Sequence, residues 1–205
     1  KSLMEGIENI SSKDIEIANQ LNYRIKLLGI TELINGKVFE RVHPCLVNKN
    51  SYIGNVNGVM NAVIVKGKPV GESILQGEGA GPGPTSSALM SDLLSILRGN
   101  IKYPFGIPSS RRKTLNSYKV KNYFNSLYLR FEVKDKPGVL SEITKQLANR
   151  KISVERLIQI PNHYYKTASI VIITHKSKEE DVQICIKKFK SNKNILKRPI
   201  LIRLI

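Results

Sequence analysis

The residues with the clearest chemical potential lie at positions 76–87, in the stretch QGEGAGPGPTSS. Gly77, Gly79, Gly81 and Gly83 follow an apolar run, and an apolar-periodic segment starts near Pro84. Glycines allow a sharp turn and let a ligand come close to the backbone. A helix starting behind them presents unpaired N–H groups and the positive end of its dipole. That arrangement suits an anion, such as the phosphate of a nucleotide cofactor. The spacing fits neither common phosphate fingerprint. Counted from Gly77, the last position of G-x-G-x-x-G is Pro82; counted from Gly79 it is Pro84; no Gly-Lys-Ser/Thr follows. Spacing alone leaves a tight structural turn and a ligand loop both open. Thr85 and Ser86 stand where a helix start is capped, and capping is their expected role. Lys26 and Glu72 fall on alternating strand patterns and read as surface residues. Asp92 lies in the helix behind the loop, either orienting it or facing water. Cys45, Cys185, His43, His163 and His175 are isolated, without metal-ligand spacing, and read as structural or surface groups.

These residues need a frame, and the hydrophobic pattern supplies one. Ser11 and Asp14 form a capping-box pattern, opening a helix that would turn Ile15, Ala18 and Leu21 inward. YRIKLLGITEL (23–33) and residues 37–47 read as strands joined by Asn35-Gly36, a strong hairpin signal. GVMNAVIVK (58–66) and residues 69–76 read as a second strand pair leading into the glycine loop. Residues 85–98 carry Ala88, Leu89, Leu93, Ile96 and Leu97 at helical spacing. Residues 99–122 hold prolines, serines and a basic run, and read as a linker or irregular arm. LYLRFEV (127–133) alternates as a half-buried strand, and the turn at 135–138 leads into a helix carrying Val139, Leu140, Ile143 and Leu147. Strands at 152–160 and 167–174, a helix at 178–192 presenting Val182, Ile186 and Phe189, and a strand at 199–205 complete the chain. The order of this second part is β-α-β-β-α-β, with two helices covering one face of a four-stranded antiparallel sheet. Its other face and its edge strand would favour pairing with a second copy.

The chain has 205 residues, 41% of them hydrophobic, and a net charge of +17. That length suits one or two domains. No apolar run is long enough for a membrane span and no signal peptide is visible, so a cytoplasmic, reducing setting is expected. The charge alone would favour nucleic acid, but lysine far outnumbers arginine and no aromatic RNA-binding signature accompanies it. A nucleic-acid partner is not expected. The chain begins at Lys1 rather than methionine, inside what reads as an internal segment, and a piece of a longer protein is the expectation.

GIENISSKDIEIANQLNYRIKLLGI (6–30), NVNGVMNAVIVKG (55–67) and GEGAGPGPTSSALMSDL (77–93) resemble the C-terminal half of the catalytic domain of homoserine dehydrogenase. Residues 127–160, with DKPGVL at 135–140, resemble an ACT domain, carrying Arg150-Lys151-Ile152 where that family often has a glycine. The fold so implied is α+β: part of a mixed-sheet catalytic α/β domain at 1–107, a basic linker at 108–124, and a ferredoxin-like ACT domain at 125–205. The resemblance implies NAD or NADP as cofactor and interconversion of aspartate semialdehyde and homoserine, in threonine and methionine biosynthesis. It places the cofactor contact at Gly81, with Gly79, Ala80 and Thr85 beside it, as one lip of a nicotinamide cleft. It puts the dinucleotide fingerprint, the catalytic lysine and the acidic substrate residues upstream of Lys1, so no catalytic residue is assigned. It implies an amino-acid effector, threonine, held at Asp135, Pro137, Gly138 and Val139, and a homodimer or homotetramer. The alternative is a stand-alone amino-acid-binding ACT protein without catalysis.

Overall fold

The computed structural model describes residues 3–100, 103 and 106–205; the start at Lys1 and part of the expected irregular arm lie outside the described residues. The chain forms two compact units, one of residues 1–49 with 115–205, the other of residues 50–114. In the first unit, β1 (Leu3–Met4), α1 (Ser12–Gln20), β2 (Tyr23–Ile34) and β3 (Lys37–Asn48) come first. The second unit holds β4 (Met60–Gly67), β5 (Gly71–Glu78) and α2 (Pro82–Leu97). The chain then returns to the first unit with β6 (Phe124–Asn125), β7 (Leu127–Lys134), α3 (Val139–Ala148) and β8 (Val154–Asn162). β9 (Thr167–Thr174), β10 (Ser177–Lys178), α4 (Glu179–Phe189) and β11 (Ile200–Leu204) close it. Among the described residues, no helix is long and apolar enough to cross a membrane.

The β-α-β-β-α-β order is present, and β11-β7-β9-β8 run antiparallel side by side. Its sheet does not end there. β11 also pairs with β3 in parallel, Arg203 beside Cys45, and β3 carries β1 on the same side and the whole length of β2 on the other. The result is one seven-stranded mixed sheet. Asn35-Gly36 makes the β2–β3 turn as the sequence indicates, both residues at positive φ. β8 is one edge of this sheet and β2 the other.

Both faces of β7 are buried, which the sequence does not suggest. Leu127, Leu129, Phe131 and Val133 pack under α3 and α4 against Ile143, Leu147, Val182 and Phe189. The other face, expected to be open, is covered by α1: Ile17, Ala18 and Leu21 lie on Tyr128, Val171, Ile173 and Ile202. The capping box forms, Ser11 and Asp14 each serving the other's backbone N–H. The inward stripe differs from the expected one. Ile15 is 52% exposed, while Asp14 is 0% exposed and lines up with Ile17, Ala18 and Leu21. Asp14 sets that phase, because Arg130 on β7 donates to both its oxygens at 2.6 and 2.8 Å and Tyr128 donates at 3.0 Å. Arg130 also meets Glu132 at 2.5 Å, and Glu132 accepts from Lys13 and Ser169.

A second buried arginine works on the opposite face. Arg203 on β11 is 1% exposed. It donates to Glu179 at the start of α4 at 2.6 and 3.1 Å, and to Glu5 behind β1 at 2.7 and 3.1 Å. Burial alone would raise the carboxyl of Asp14, but hydrogen bonds from Arg130 and Ser11 outweigh it and hold the group below its usual value. Glu179 is likewise held low, burial opposing and Arg203 prevailing. Carboxylates bound this way stabilise the fold in their charged form. Their contribution is complete above the ordinary carboxylate range, about pH 4, and is lost as pH falls through the lowered folded values. Urea unfolding from neutral to acid pH should therefore show stability dropping only on the acid side. Asp14→Ala should cost about 3–5 kcal/mol at neutral pH, as for one partner removed from a buried pair; a loss below about 1 kcal/mol, the scale of an exposed pair, would show that Asp14 does not hold α1.

Candidate functional site

β4 and β5 build the frame of the glycine loop. They form an antiparallel hairpin from Met60 opposite Glu78 to Gly67 opposite Gly71, and Glu72 pairs across it with Lys66 at 2.6 Å. β5 starts at Gly71 rather than at Pro69, since Lys68 and Pro69 belong to the turn. Gly79 continues the hairpin, its N–H donating to the Val59 carbonyl at 2.8 Å. The Asn61 side chain crosses over Gly79, where an added Cβ would lie 1.8 Å from the Asn61 amide nitrogen. Gly81 is the N-cap of α2 with φ 120° and ψ 159°, a conformation essentially confined to glycine. Gly81 is thus the loop glycine whose backbone conformation excludes a side chain, while at Gly79 the obstacle is the Asn61 side chain.

The helix behind it is a weaker anion site than the sequence suggests. α2 begins at Pro82, two residues earlier than Pro84, and both prolines fall in its first turn. Of residues 82–84 only Gly83 has an N–H to offer. Thr85 and Ser86 do not cap. Thr85 Oγ1 donates back to the Gly81 carbonyl at 2.8 Å, and Ser86 Oγ to Gly83 at 3.0 Å. Thr85 thereby ties the helix to the carbonyl of Gly81, which is a positioning contact. Gly79, Ala80, Gly81 and Thr85 are all exposed. Asp92 is exposed on α2, and Lys26 is part-buried on β2. The apolar side chains of α2 find no cover in this unit: Leu89, Met90, Ile96 and Leu97 are each more than half exposed, and the helix buries none of its described residues.

In the other unit, the turn after β7 lines a cavity of about 420 Å³. Val133, Val139 and Ile170 form its apolar wall, and Asp135, Gly138 and Gln159 its polar rim. Gly138 is the N-cap of α3 at φ 89°, so α3 starts without a capping side chain. Asp135 is not that cap. Its backbone N–H donates to Lys166 at 3.0 Å, and its carboxylate accepts from Gln159 on β8 at 3.5 Å. Glu142 N–H closes the first turn onto the Gly138 carbonyl. Of the preceding helix-start N–H groups, that of Val139 donates to the Lys136 carbonyl at 3.4 Å, and the positive dipole end lies at the turn, an arrangement suited to a carboxylate. Asp135, Pro137, Gly138 and Val139 are brought together at this cavity. Gln159 joins them unforeseen. The period-2 pattern of β8 puts it opposite Ile158 and Ile160, but only the register, Gln159 beside Ile170, brings it to the turn.

His43 and Cys45 sit buried on β3. Burial lowers His43 below its usual pKa and pushes the Cys45 thiol up to about 12, so the thiol is inert. Arg41 lies between the rings of Phe39 and Tyr123, 4.5 and 4.7 Å from their centroids, and donates to Glu32 at 2.8 Å.

Residues 2–94 match the family model for homoserine dehydrogenase, and residues 127–193 match that for the ACT domain. The homoserine dehydrogenase of Neisseria gonorrhoeae is 37% identical over 189 residues, covering 89% of this chain and 43% of that protein. That of Helicobacter pylori is 35% identical, covering 98% of this chain and 48% of the relative. The crystal structure of a homoserine dehydrogenase from Thiobacillus denitrificans superposes with a TM-score of 0.85 at 33% identity, over 98% of this chain and 47% of that one. The chain spans about half the length of the relatives it matches.

The loop geometry makes a sharp contrast testable. Gly81→Ala should fray the start of α2, costing about 1–3 kcal/mol for a side chain forced into that backbone region. Gly83→Ala, where an added Cβ meets nothing within 4 Å, should be neutral or slightly stabilising. Hydrogen exchange of the α2 amides measures both; equal protection in the two variants would contradict the assigned conformation of Gly81.

Proposed function

This chain belongs to the homoserine dehydrogenase family through residues 2–94 and carries an ACT domain at 127–193, and on that premise we propose that it works as part of an NAD(P)-dependent homoserine dehydrogenase under amino-acid control. The observation that carries the reading is the joint occurrence of the two regions in one chain, in the order of relatives that match across nearly its full length. The reaction is the interconversion of L-aspartate 4-semialdehyde and L-homoserine in the cytoplasm, with hydride passing to or from the nicotinamide.

The bound cofactor supplies the redox chemistry, and the chain's own residues position and enclose it. The backbone of Gly79, Ala80 and Gly81 closes on the nicotinamide end; the conformation of Gly81 and the Thr85 tie to its carbonyl hold that backbone in place. An absent Cβ at Gly81 allows close approach. The catalytic lysine and acidic substrate residues belong to the portion of the relatives that this chain does not span. The apolar side of α2 packs against that portion. At the other end, the cavity at Gly138 takes the effector, threonine. Its carboxylate meets the N–H groups at the start of α3, and its ammonium lies by Asp135 and Gln159. The assembly is a homodimer or homotetramer.

Joined behind the remaining portion of the Neisseria gonorrhoeae relative, this chain should restore homoserine oxidation with NAD or NADP. Gly81→Val in that chimera should raise KM for the cofactor about tenfold or more, the effect of a misplaced binding contact; an unchanged KM would remove the loop from the cofactor site. Calorimetry on the 205-residue chain should show threonine binding that Gln159→Ala weakens several-fold. Heat from a different amino acid, with none from threonine, would overturn the choice of effector.

A further inference from the structure

The first unit holds another cavity, which shares no lining residue with the one at the Gly138 turn. It measures about 250 Å³ and sits among residues 5–10, α4 and the approach to β11. We propose that it is a second small-molecule site, shaped for a compact zwitterion with a carboxylate, an ammonium and a short apolar body. This proposal does not rest on the effector reading of the Gly138 turn.

The size comes first. Pockets for drug-sized ligands run from about 300 to 1,000 Å³, so a smaller cleft admits only a small molecule. The lining divides by chemistry. Ile10, Pro44, Ile186 and Pro199 supply apolar surface. Glu5, Asn9, Gln183 and Arg198 supply polar groups around it. Arg198 and the Asn9 side chain have no ion pair or hydrogen bond among the described residues. Gln183 commits its amide nitrogen to Glu179 at 2.9 Å, which leaves its carbonyl oxygen for a donor.

The charge pattern gives the ligand its two ends. Glu5 and Glu179 share the single guanidinium of Arg203, so the cluster beside the cleft carries one carboxylate more than it has cations. His43 nearby does not make up the difference, since burial favours its neutral form. Glu5 keeps lone pairs beyond those used by Arg203, and its side chain is 35% exposed. An ammonium at Glu5 and the Gln183 carbonyl balances that excess. A carboxylate at Arg198, with the Asn9 amide beside it, completes the second end as a charge-assisted pair. The apolar body between the ends lies on Ile10 and Ile186.

L-Valine is a suitable probe, with isobutylamine and 3-methylbutanoate each lacking one charged end. Titrated into 15N-labelled full chain, valine should shift the side-chain amide signals of Asn9 and Gln183. Each half-analogue should bind at least about tenfold more weakly, as expected for loss of one charged hydrogen-bonded end. Arg198 is exposed, so Arg198→Met should leave the fold intact by circular dichroism and raise the valine Kd about tenfold or more. Asn9→Ala, also at an exposed position, gives an independent second variant with a smaller loss. Shifts confined to Gln159 would assign valine to the Gly138 turn and overturn the second site. So would valine binding that ignores Arg198→Met, or no shift at all.

Discussion

Arg130 loses nearly all contact with water in the folded chain, and a guanidinium so placed needs fixed carboxylates around it. Its own strand supplies Glu132, and the rest of the demand is met by Asp14 from α1. Arg203 faces the same demand on the opposite side of the sheet, where Glu179 is joined by Glu5. Both arginines belong to the βαββαβ part, and both reach for an acid in the first fourteen residues. The N-terminal segment therefore grips the sheet on two faces. Removing either acid leaves a buried arginine one carboxylate short, with Glu132 or Glu179 as its remaining ion-pair partner.

This arrangement changes what the C-terminal part can be. A βαββαβ unit on its own would leave one sheet face bare, and an association through that face would be natural. Here α1 takes that face and β3 takes the β11 edge. What remains open is the β8 edge, together with the Gly138 turn at one end of the sheet. A ligand at that turn touches β7, β9 and β8 at once, the strands that carry Arg130 and its neighbours. The glycine loop lies in the other unit, on a hairpin and helix whose apolar residues stay exposed.

Local signals were legible in the sequence wherever a few neighbouring residues decide the outcome. Asn35-Gly36 makes its hairpin, Ser11 and Asp14 make their box, and the βαββαβ order holds. Errors came where a distant partner decides. Ile15 and Ile17 are equally apolar, and only Arg130, more than a hundred residues away, selects the phase that buries Asp14. The half-buried reading of β7 failed for the same reason. At the glycine loop the capping expected of Thr85 and Ser86 is absent, because two prolines move the helix start forward. Gln159 was invisible because strand register, unlike strand period, is not written locally.

The first unit is assembled from both ends of the polypeptide, with residues 50–114 as an excursion between them. β3 and the strand that pairs with part of its edge, β11, lie far apart in the sequence, Cys45 beside Arg203. That stretch of the β3 edge and the carboxylate of Glu5 both depend on β11, through strand pairing and through Arg203. Such long-range closure is slow and prone to aggregation. The same wiring makes the fold intolerant of losing β11: its removal would undo a strand, a buried ion cluster and the edge of β3 together.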